Sequence, residues 1–435
     1  MKKVLWVCNI MLPVIAKELG LPYSNREGWL TGIFNALTAK KENKEIELGI
    51  CFPVEAFGDV LSLEKGKPFM VQGVPCYAFE EDLAHPENYD ASMESAFAEI
   101  FADFMPDMIH VFGTEFPHAL AAVKIFGKPE KTLLGIQGLC YEIAKVYMAG
   151  LPEKVCDSVT FRDLIRKDSL RQQQEKFVIR GEREKEVIHL AGHITGRTEF
   201  DRRGTNVIHP KAQYHCMNET MRSSFYTGQW EYEKCERHSI FLGQGDYPLK
   251  GFHFLLEAMP TICREYPDAK VYVAGNSIIN QTGLKEKIKI SAYGKYLLSL
   301  IRKHNLQDKI IVLGKLTEQE MKEQFLKSEV FVCPSVLENS PNTIGEAMLL
   351  GVPVAAAAVG GIPDMITHER DGLLFAAGSA EKLAEAIIRL FDEKKDEKGQ
   401  NLAQHLSQNA RERAARVHDG ASNYQRLMEI YESIC

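Results

Sequence analysis

The run Phe331-Val-Cys-Pro-Ser-Val-Leu-Glu338-Asn-Ser-Pro-Asn-Thr-Ile-Gly-Glu346-Ala-Met-Leu-Leu-Gly351-Val-Pro-Val354 is the one on which the architecture turns. It opens as a buried strand, crosses a polar loop, enters a helix at Pro341 or Asn342 and leaves through Gly-Val-Pro into a second buried strand. Strand, crossover helix and strand make a parallel unit with helices on its faces. Glu338 falls in the loop at the first strand's carboxyl end, and Glu346 lies about one turn into the helix. Carboxylates so placed can meet one ligand at two heights. They accept hydrogen bonds from vicinal hydroxyls, as in ribose and hexose recognition, while amides at the helix start meet a phosphate. On a solvated helix face the same two glutamates would carry no information; the strand, the turn and the Gly-x-Pro exit supply it.

The alternation extends outward through most of the chain. Lys3–Asn9, Glu45–Cys51, Met108–Phe112, Thr132–Ile136 and His193–Thr195 read as strands in the first half. Ser239–Leu242, Lys270–Ala274, Ile310–Leu313, Val330–Cys333 and Val354–Ala357 do so in the second, with apolar residues at helical spacing between them. The pattern lapses between 211 and 237, where the chain turns polar and aromatic without a clear period. The expected organisation is α/β, with two doubly wound Rossmann-like domains of roughly 200 residues facing across a cleft. Residues 1–210 form the first, 211–237 the linker and 238–420 the second; a closing helix at 421–435 is free to pack back onto the first.

With 435 residues, 45% hydrophobic and 26% charged, the chain has the composition of a core-building globular protein. A net charge of −7 without long single-sign blocks argues against a nucleic-acid binder that relies on bulk attraction to phosphate, so any anion site is local. The ten cysteines show no C-x-x-C pair and mostly sit in apolar runs, which suits reduced core thiols and a cytoplasmic setting. Met1-Lys2-Lys3 followed by Val4 to Ala16 has the outline of a secretory signal, but Val4 to Ile10 is needed as the first buried strand. The longest uncharged stretch, Ala347 to Pro363, is too short and too broken by Gly and Pro to span a bilayer.

Two further segments carry chemistry. Ile240-Phe-Leu-Gly243-Gln244-Gly-Asp-Tyr-Pro-Leu-Lys250-Gly251-Phe sets a Gly-containing loop and a lysine between a strand and a helix, which brings backbone amides and one cation to a pyrophosphate. Val359-Gly360-Gly361-Ile-Pro363-Asp364 follows the next strand, and its paired glycines allow close backbone approach to a ligand. Together with 331–354, these segments resemble the donor site of retaining glycosyltransferases of the GT-B fold, family 4 (glycosyl transferases group 1), of the polysaccharide-biosynthesis type. That family shows two glutamates separated by seven residues, a Gly-Arg…Lys-Gly element and a Gly-Gly-x-Pro-acidic loop. The resemblance covers most of the second domain, and the first only in layout.

The resemblance implies catalytic roles for Glu338 and Lys250. It implies donor contacts from Gly243, Gln244, Lys250, Glu338, Asn339, Ser340, Asn342, Thr343, Glu346 and Gly360, with Glu338 on sugar hydroxyls and Glu346 on the ribose. The nucleotide base would lie near Gly314-Lys315-Leu316. Gln244 stands where the family has arginine, and a neutral amide lacks charge-assisted bonds worth ~1.5–3 kcal/mol each. In the first domain, Gly28, Glu115, His118, Gln137 and Arg197 are the acceptor-side candidates. Gln137 occupies the place where a histidine often follows the strand, His118 is a candidate substitute, and Arg197 is a candidate cation to offset Gln244.

The implied reaction moves a sugar from a nucleotide diphosphate sugar to a saccharide or lipid-linked saccharide acceptor, with no metal and no cofactor, at a cytoplasmic site or the inner face of a membrane. Phe161 to Glu186 carries many Arg and Lys with Leu164, Ile165, Leu170, Phe177, Val178 and Ile179. Such a face can rest on anionic lipid, although the interleaved Asp163, Asp168, Glu175, Glu182 and Glu184 favour an ordinary solvated helix. Two rival readings remain at the sequence level. One is a nucleotide-sugar epimerase on the same architecture, for which the first domain offers only Glu115; the other is a donor-binding module impaired at Gln244 and Gln137.

Overall fold

The computed structural model describes residues 1–21, 28–39, 45–57, 66–279 and 289–435. The chain divides into two compact units. The first comprises Met1–Ala144, Lys176–Arg222 and His418–Cys435, and the second Lys145–Glu175 and Ser223–Val417. Among the described residues the first unit holds one eight-stranded sheet and the second one six-stranded sheet.

The first sheet contains β1 (Lys2–Val7), β2 (Ile46–Val54), β3 (Phe69–Val71), β4 (Val74–Glu80), β5 (Met108–Phe112), β6 (Thr132–Gly135), β7 (His193–Gly196) and β8 (Gln213–Cys216), in the order β3-β4-β2-β1-β5-β6-β7-β8. All neighbours are parallel except the edge pair β3 and β4. Along β1, Val4 and Trp6 enter one apolar cluster while Leu5 and Val7 enter another, so both faces of the sheet are covered. The closing helix, Gly420–Ile434, belongs to the first of these clusters through Leu427, Met428, Tyr431 and Ile434. Trp6 Nε1 donates to the Tyr431 hydroxyl at 2.7 Å, and that hydroxyl hydrogen-bonds His110 Nδ1 at 2.8 Å. Burial pushes His110 down to about 3, so the imidazole is neutral in the fold.

The second sheet contains β9 (Glu236–Leu242), β10 (Lys270–Ala274), β11 (Ile310–Gly314), β12 (Ser328–Cys333), β13 (Val354–Ala357) and β14 (Leu373–Phe375), all parallel, in the order β11-β10-β9-β12-β13-β14. In both sheets the chain starts centrally and builds first to one side and then to the other. This creates switch points between β1 and β5 and between β9 and β12, where loops diverge and leave a crevice.

Several domain bounds differ from the sequence expectation. Residues 145–175 leave the first unit and pack with the second, and the crossover back falls inside the helix Leu170–His189. The expected linker at 211–237 is partly structured. Gln213–Cys216 forms the edge strand β8, and Trp230 anchors the start of the second unit by donating from its backbone to Leu350 O at 2.8 Å and from Nε1 to Ser328 O at 2.9 Å. A short, half-polar edge strand has no period to read, which is why the break appeared broader than it is. No helix among the described residues is long and apolar enough to cross a membrane.

Candidate active site

At the β9/β12 switch point two loops are stitched together. After β9 the chain makes a short turn at Pro248–Lys250 and passes through Gly251 at φ +68°. A Cβ at Gly251 would overlap the Pro334 carbonyl oxygen, and Val336 N donates to Leu249 O at 2.8 Å. Glycine is needed there both for the left-handed backbone and for the close approach. The result places Lys250 Nζ 2.7 Å from Glu338 Oε1. The Ser335 hydroxyl donates to the same oxygen at 2.7 Å, and the Lys250 ammonium lies 5.6 Å from the centre of the Tyr247 ring. Burial opposes the lysine's charge, but the Glu338 carboxylate, with help from the Tyr247 phenol, overrides it and raises the lysine's pKa.

The Glu338 backbone is fixed from a third loop. Gly361 N donates to Glu338 O at 3.1 Å, and Gly360, at φ +51°, sits where a Cβ would overlap that same oxygen. The close approach that the paired glycines allow is therefore to the protein's own Glu338 peptide. Asn339 and Ser340 are buried and lead into the helix Asn342–Leu350, whose N-cap is Pro341 with no side-chain cap. Its first amides point out of the helix start beside Gly243, whose Cβ position lies 3.7 Å from Thr343 Cγ2. Glu346 is one turn further in and only 3% exposed. Gln244 lies against Gly275 at the end of β10, its Cγ 3.4 Å from where a Cβ would stand.

In the first unit the structure gathers some candidates and disperses others. Asn9, after β1, donates from Nδ2 to Gln137 Oε1 at 3.0 Å, and Gly113, after β5, packs against Asn9 and the Glu115 carboxylate. Glu115 and Gln137 therefore flank the β1/β5 switch point, and burial raises the Glu115 carboxyl. Gly28 starts the helix Gly28–Ala39; Arg26 and Glu27 before it lie outside the described residues.

His118, expected as an acceptor-side histidine, has no exposed surface with which to meet a ligand. Pro117 starts the helix Pro117–Phe126 and turns His118 inward, where it is fully buried with Nδ1 2.9 Å from Glu81 Oε2 and rings of Phe79 and Phe116 beside it. Arg197 is likewise committed elsewhere: its Nη1 lies 3.0 Å from Glu219 Oε2 within the first unit, at 13% side-chain exposure. That ion pair removes it as a ready cation for Gln244.

Sequence reasoning missed three participants. Tyr247 and Ser335 shape the Lys250–Glu338 pair, and neither residue type marks such a role. Glu184 is fully buried, accepting from the Thr114 hydroxyl at 2.6 Å and from Tyr141 N at 3.1 Å. Burial raises it to about 7 against these hydrogen bonds. Because its folded pKa exceeds the unfolded value, the fold binds this proton more tightly. That stability is present at low pH and is lost as pH rises through about 7. Glu184→Gln is expected to raise Tm over the parent at about pH 8 and to match it near pH 5. An equal difference at both pH values in thermal melts would rule Glu184 out as the source.

Two parallel α/β units with central switch points define the GT-B architecture. The chain aligns over 100% of its length with Alr3699/HepE from Anabaena, a structure solved in complex with UDP and glucose, at a TM-score of 0.66 and 15% identity over 100% of that chain. Residues 229–413, within the second unit, match the family described as glycosyl transferases group 1. An uncharacterised glycosyltransferase of Methanocaldococcus jannaschii is 27% identical over 158 residues, 36% of each chain. The amylovoran biosynthesis glycosyltransferase AmsK of Erwinia amylovora is 30% identical over 122 residues, 26% of this chain and 30% of that protein. The matched region spans less than half the length of either relative.

Proposed function

We propose that the protein is a retaining glycosyltransferase that moves a sugar from a nucleotide diphosphate sugar to a saccharide or lipid-linked saccharide hydroxyl, in the making of cell-surface polysaccharide or glycoconjugate. The observation that carries this reading is the Lys250–Glu338 pair at the β9/β12 switch point, set beside the uncapped helix start at Asn342. Lys250 and the Asn342 and Thr343 amides stabilise charge developing on the departing diphosphate. Glu338 holds sugar hydroxyls: both of its protein donors fall on Oε1, so Oε2 remains available as an acceptor. Glu346 takes the ribose hydroxyls.

The acceptor oxygen bonds to the anomeric carbon on the face from which the diphosphate leaves, and its proton passes to the departing phosphate oxygen. This scheme rests on positioning and electrostatics and requires neither a metal nor a protein nucleophile. The match to an amylovoran enzyme supports the polysaccharide role. The UDP bound in the Anabaena structure makes UDP-sugars the first donors to try.

The test is to incubate the purified chain with UDP-, GDP- and ADP-sugars and a saccharide acceptor panel, reading product anomers by NMR. An α product from an α donor supports the reading. An inverted product removes retention, epimerised donor without acceptor favours the epimerase, and donor binding without turnover across the panel favours an impaired module.

A membrane contact belongs to the same proposal. The run expected as one basic helix is two, Phe161–Arg166 and Leu170–His189, separated by Lys167 at φ +51°. In the first of them Asp163 is buried, while Phe161, Leu164 and Ile165, and Val159 just before the helix, are 63%, 68%, 65% and 57% exposed. Arg166 and Lys167 adjoin this outward apolar face. An anionic bilayer surface fits both features. The chain should cosediment with phosphatidylglycerol vesicles at low salt. Leu164→Ser/Ile165→Ser should weaken that binding more than tenfold, since burying each such side chain contributes ~1.5–3 kcal/mol. Undiminished cosedimentation of the variant would sink this contact.

A further inference from the structure

The helix Leu170–His189 grips two loops of the first unit with one of its faces. Arg180 and Gly181 stand four and three positions before Glu184, which sets the three residues together on that face. On the loop after β5, Glu184 Oε1 accepts from the Thr114 hydroxyl at 2.6 Å, and Arg180 Nε donates to Glu115 O at 2.9 Å. On the loop after β6, Glu184 Oε2 accepts from Tyr141 N at 3.1 Å, and a Cβ at Gly181 would stand 2.7 Å from Tyr141 Cα. One carboxyl therefore staples two loops, and the glycine lets the helix come near enough for it to do so.

These loops carry Glu115 and Gln137. The Glu115 carboxylate reaches from one to the other: its Oε2 packs against Gly113, and its Oε1 lies 3.5 Å from the Cβ position of Gly138. Asn9 Nδ2 ties Gln137 back to β1. Glu115 and Gln137 are only partly buried, so a ligand in the β1/β5 crevice can reach them. Glu184 has no exposed surface and acts only through what it holds.

The arginines beside Glu184 are engaged elsewhere, Arg180 on Glu115 O and Arg183 on the Pro86 and Glu87 carbonyls. Facing it from the other elements are the Glu115 carboxyl after β5 and, after β6, the Cys140 thiol and the Tyr141 phenol, whose pKa values burial raises. Tyr141 N can only donate, so a proton on Glu184 sits on Oε1 and is directed at Thr114 Oγ1; the neutral acid keeps both contacts. Opening the staple would expose the carboxyl and let it ionise. The closed form therefore holds its proton more tightly, and the staple loosens as pH rises through about 7.

We propose that Glu184 is a positioning residue for the acceptor: resting on the activity proposed above, its hold on Thr114 and Tyr141 sets the spacing at which Glu115 and Gln137 bind the acceptor saccharide.

The test uses the full chain, with acceptor and donor KM measured in the transfer assay from pH 5.5 to 8 and hydrogen exchange, corrected for its intrinsic pH dependence, read over 113–116 and 138–141. In the parent, acceptor KM should rise and protection of both segments should fall with increasing pH, levelling above about 7. Glu184→Gln, whose amide donates to Thr114 and accepts from Tyr141 N as the neutral acid does, should keep the low-pH values throughout. Glu115→Gln removes a like charge and should move the midpoint to lower pH without abolishing it. Glu184→Ala should raise acceptor KM roughly tenfold and donor KM much less, with protection lost in both segments. A parental pH profile in Glu184→Gln, or equal changes of donor and acceptor KM in Glu184→Ala, would overturn the positioning role. A parent that transfers no sugar yet shows pH-dependent protection abolished in Glu184→Gln keeps the staple and overturns the transferase reading; without that dependence the staple fails as well.

Discussion

Lys250→Ala is expected to lower kcat/KM for sugar transfer at least tenfold, about 1.4 kcal/mol of lost transition-state stabilisation, with the decrease divided between a lower kcat and a higher KM for the donor. The lysine is held charged in spite of burial because Glu338 lies 2.7 Å away, so the cation is in place throughout the neutral range. Before the donor arrives, lysine and glutamate neutralise one another; a diphosphate must then compete with Glu338 for the ammonium. Removing the lysine does two things at once. It deletes the cation proposed to meet the leaving group, and it leaves a carboxylate at 12% side-chain exposure, with Ser335 as its remaining donor among the described residues, facing an incoming dianion. Lys250→Ala/Glu338→Gln should therefore bind nucleoside diphosphate more tightly than Lys250→Ala without recovering kcat. Full kcat/KM in folded Lys250→Ala, or a double variant that binds no better than the single one, would remove the pair from the mechanism. With Gln244 in place of the family's arginine and Arg197 committed to Glu219, the site's dependence on this one cation should be greater than the family pattern implies.

The strands that a sequence reader can place are those whose burial is continuous. β5, β10 and β13 begin and end at the residues the apolar runs predict, because parallel strands covered on both faces leave no polar alternation to confuse. β3 and β4 escaped notice because they form an antiparallel edge hairpin around Gln72 and Gly73, with Pro75 inside β4, and β14 because three residues carry no period. The residues expected on the donor side can be located in the sequence for a related reason. A switch point concentrates them at strand ends, next to the glycines that the turns demand. What sequence could not supply is which way a helix's first turn faces. His118 reads as an acceptor-side candidate and Asp163 as part of a solvated helix, yet each is turned inward to a partner far along the chain: Glu81 for the first and Ala292 N for the second. Two of the acids that seemed to neutralise the basic run, Asp163 and Glu184, are buried, so they do not temper its outer surface.

Gly360→Ala is expected to cost about a hundredfold in kcat/KM without unfolding the second unit. At φ +51° an alanine already pays roughly 1–2 kcal/mol for the left-handed backbone, and its methyl would overlap the Glu338 carbonyl oxygen. That oxygen cannot simply move aside. It accepts from Gly361 N, and its residue's side chain is held by Lys250 and Ser335. Relief must come by shifting the whole Glu338 peptide, and a displacement near 1 Å at a positioning group is enough for a loss of that size. Strain and clash are separable, because Gly399 has φ +77° with nothing within 4 Å of its Cβ position. Gly399→Ala should show the backbone cost in thermal melts and keep its activity, whereas Gly360→Ala should show a comparable or larger drop in Tm together with the kinetic loss. Its affinity for nucleoside diphosphate should fall by less than its turnover, since the methyl meets the Glu338 peptide directly and Lys250 and the Asn342 helix start only through it. Loss of diphosphate binding equal to the loss of turnover would mean that Gly360 supports the phosphate site rather than Glu338, and parental activity would mean that the Glu338 peptide is free to move without consequence for transfer.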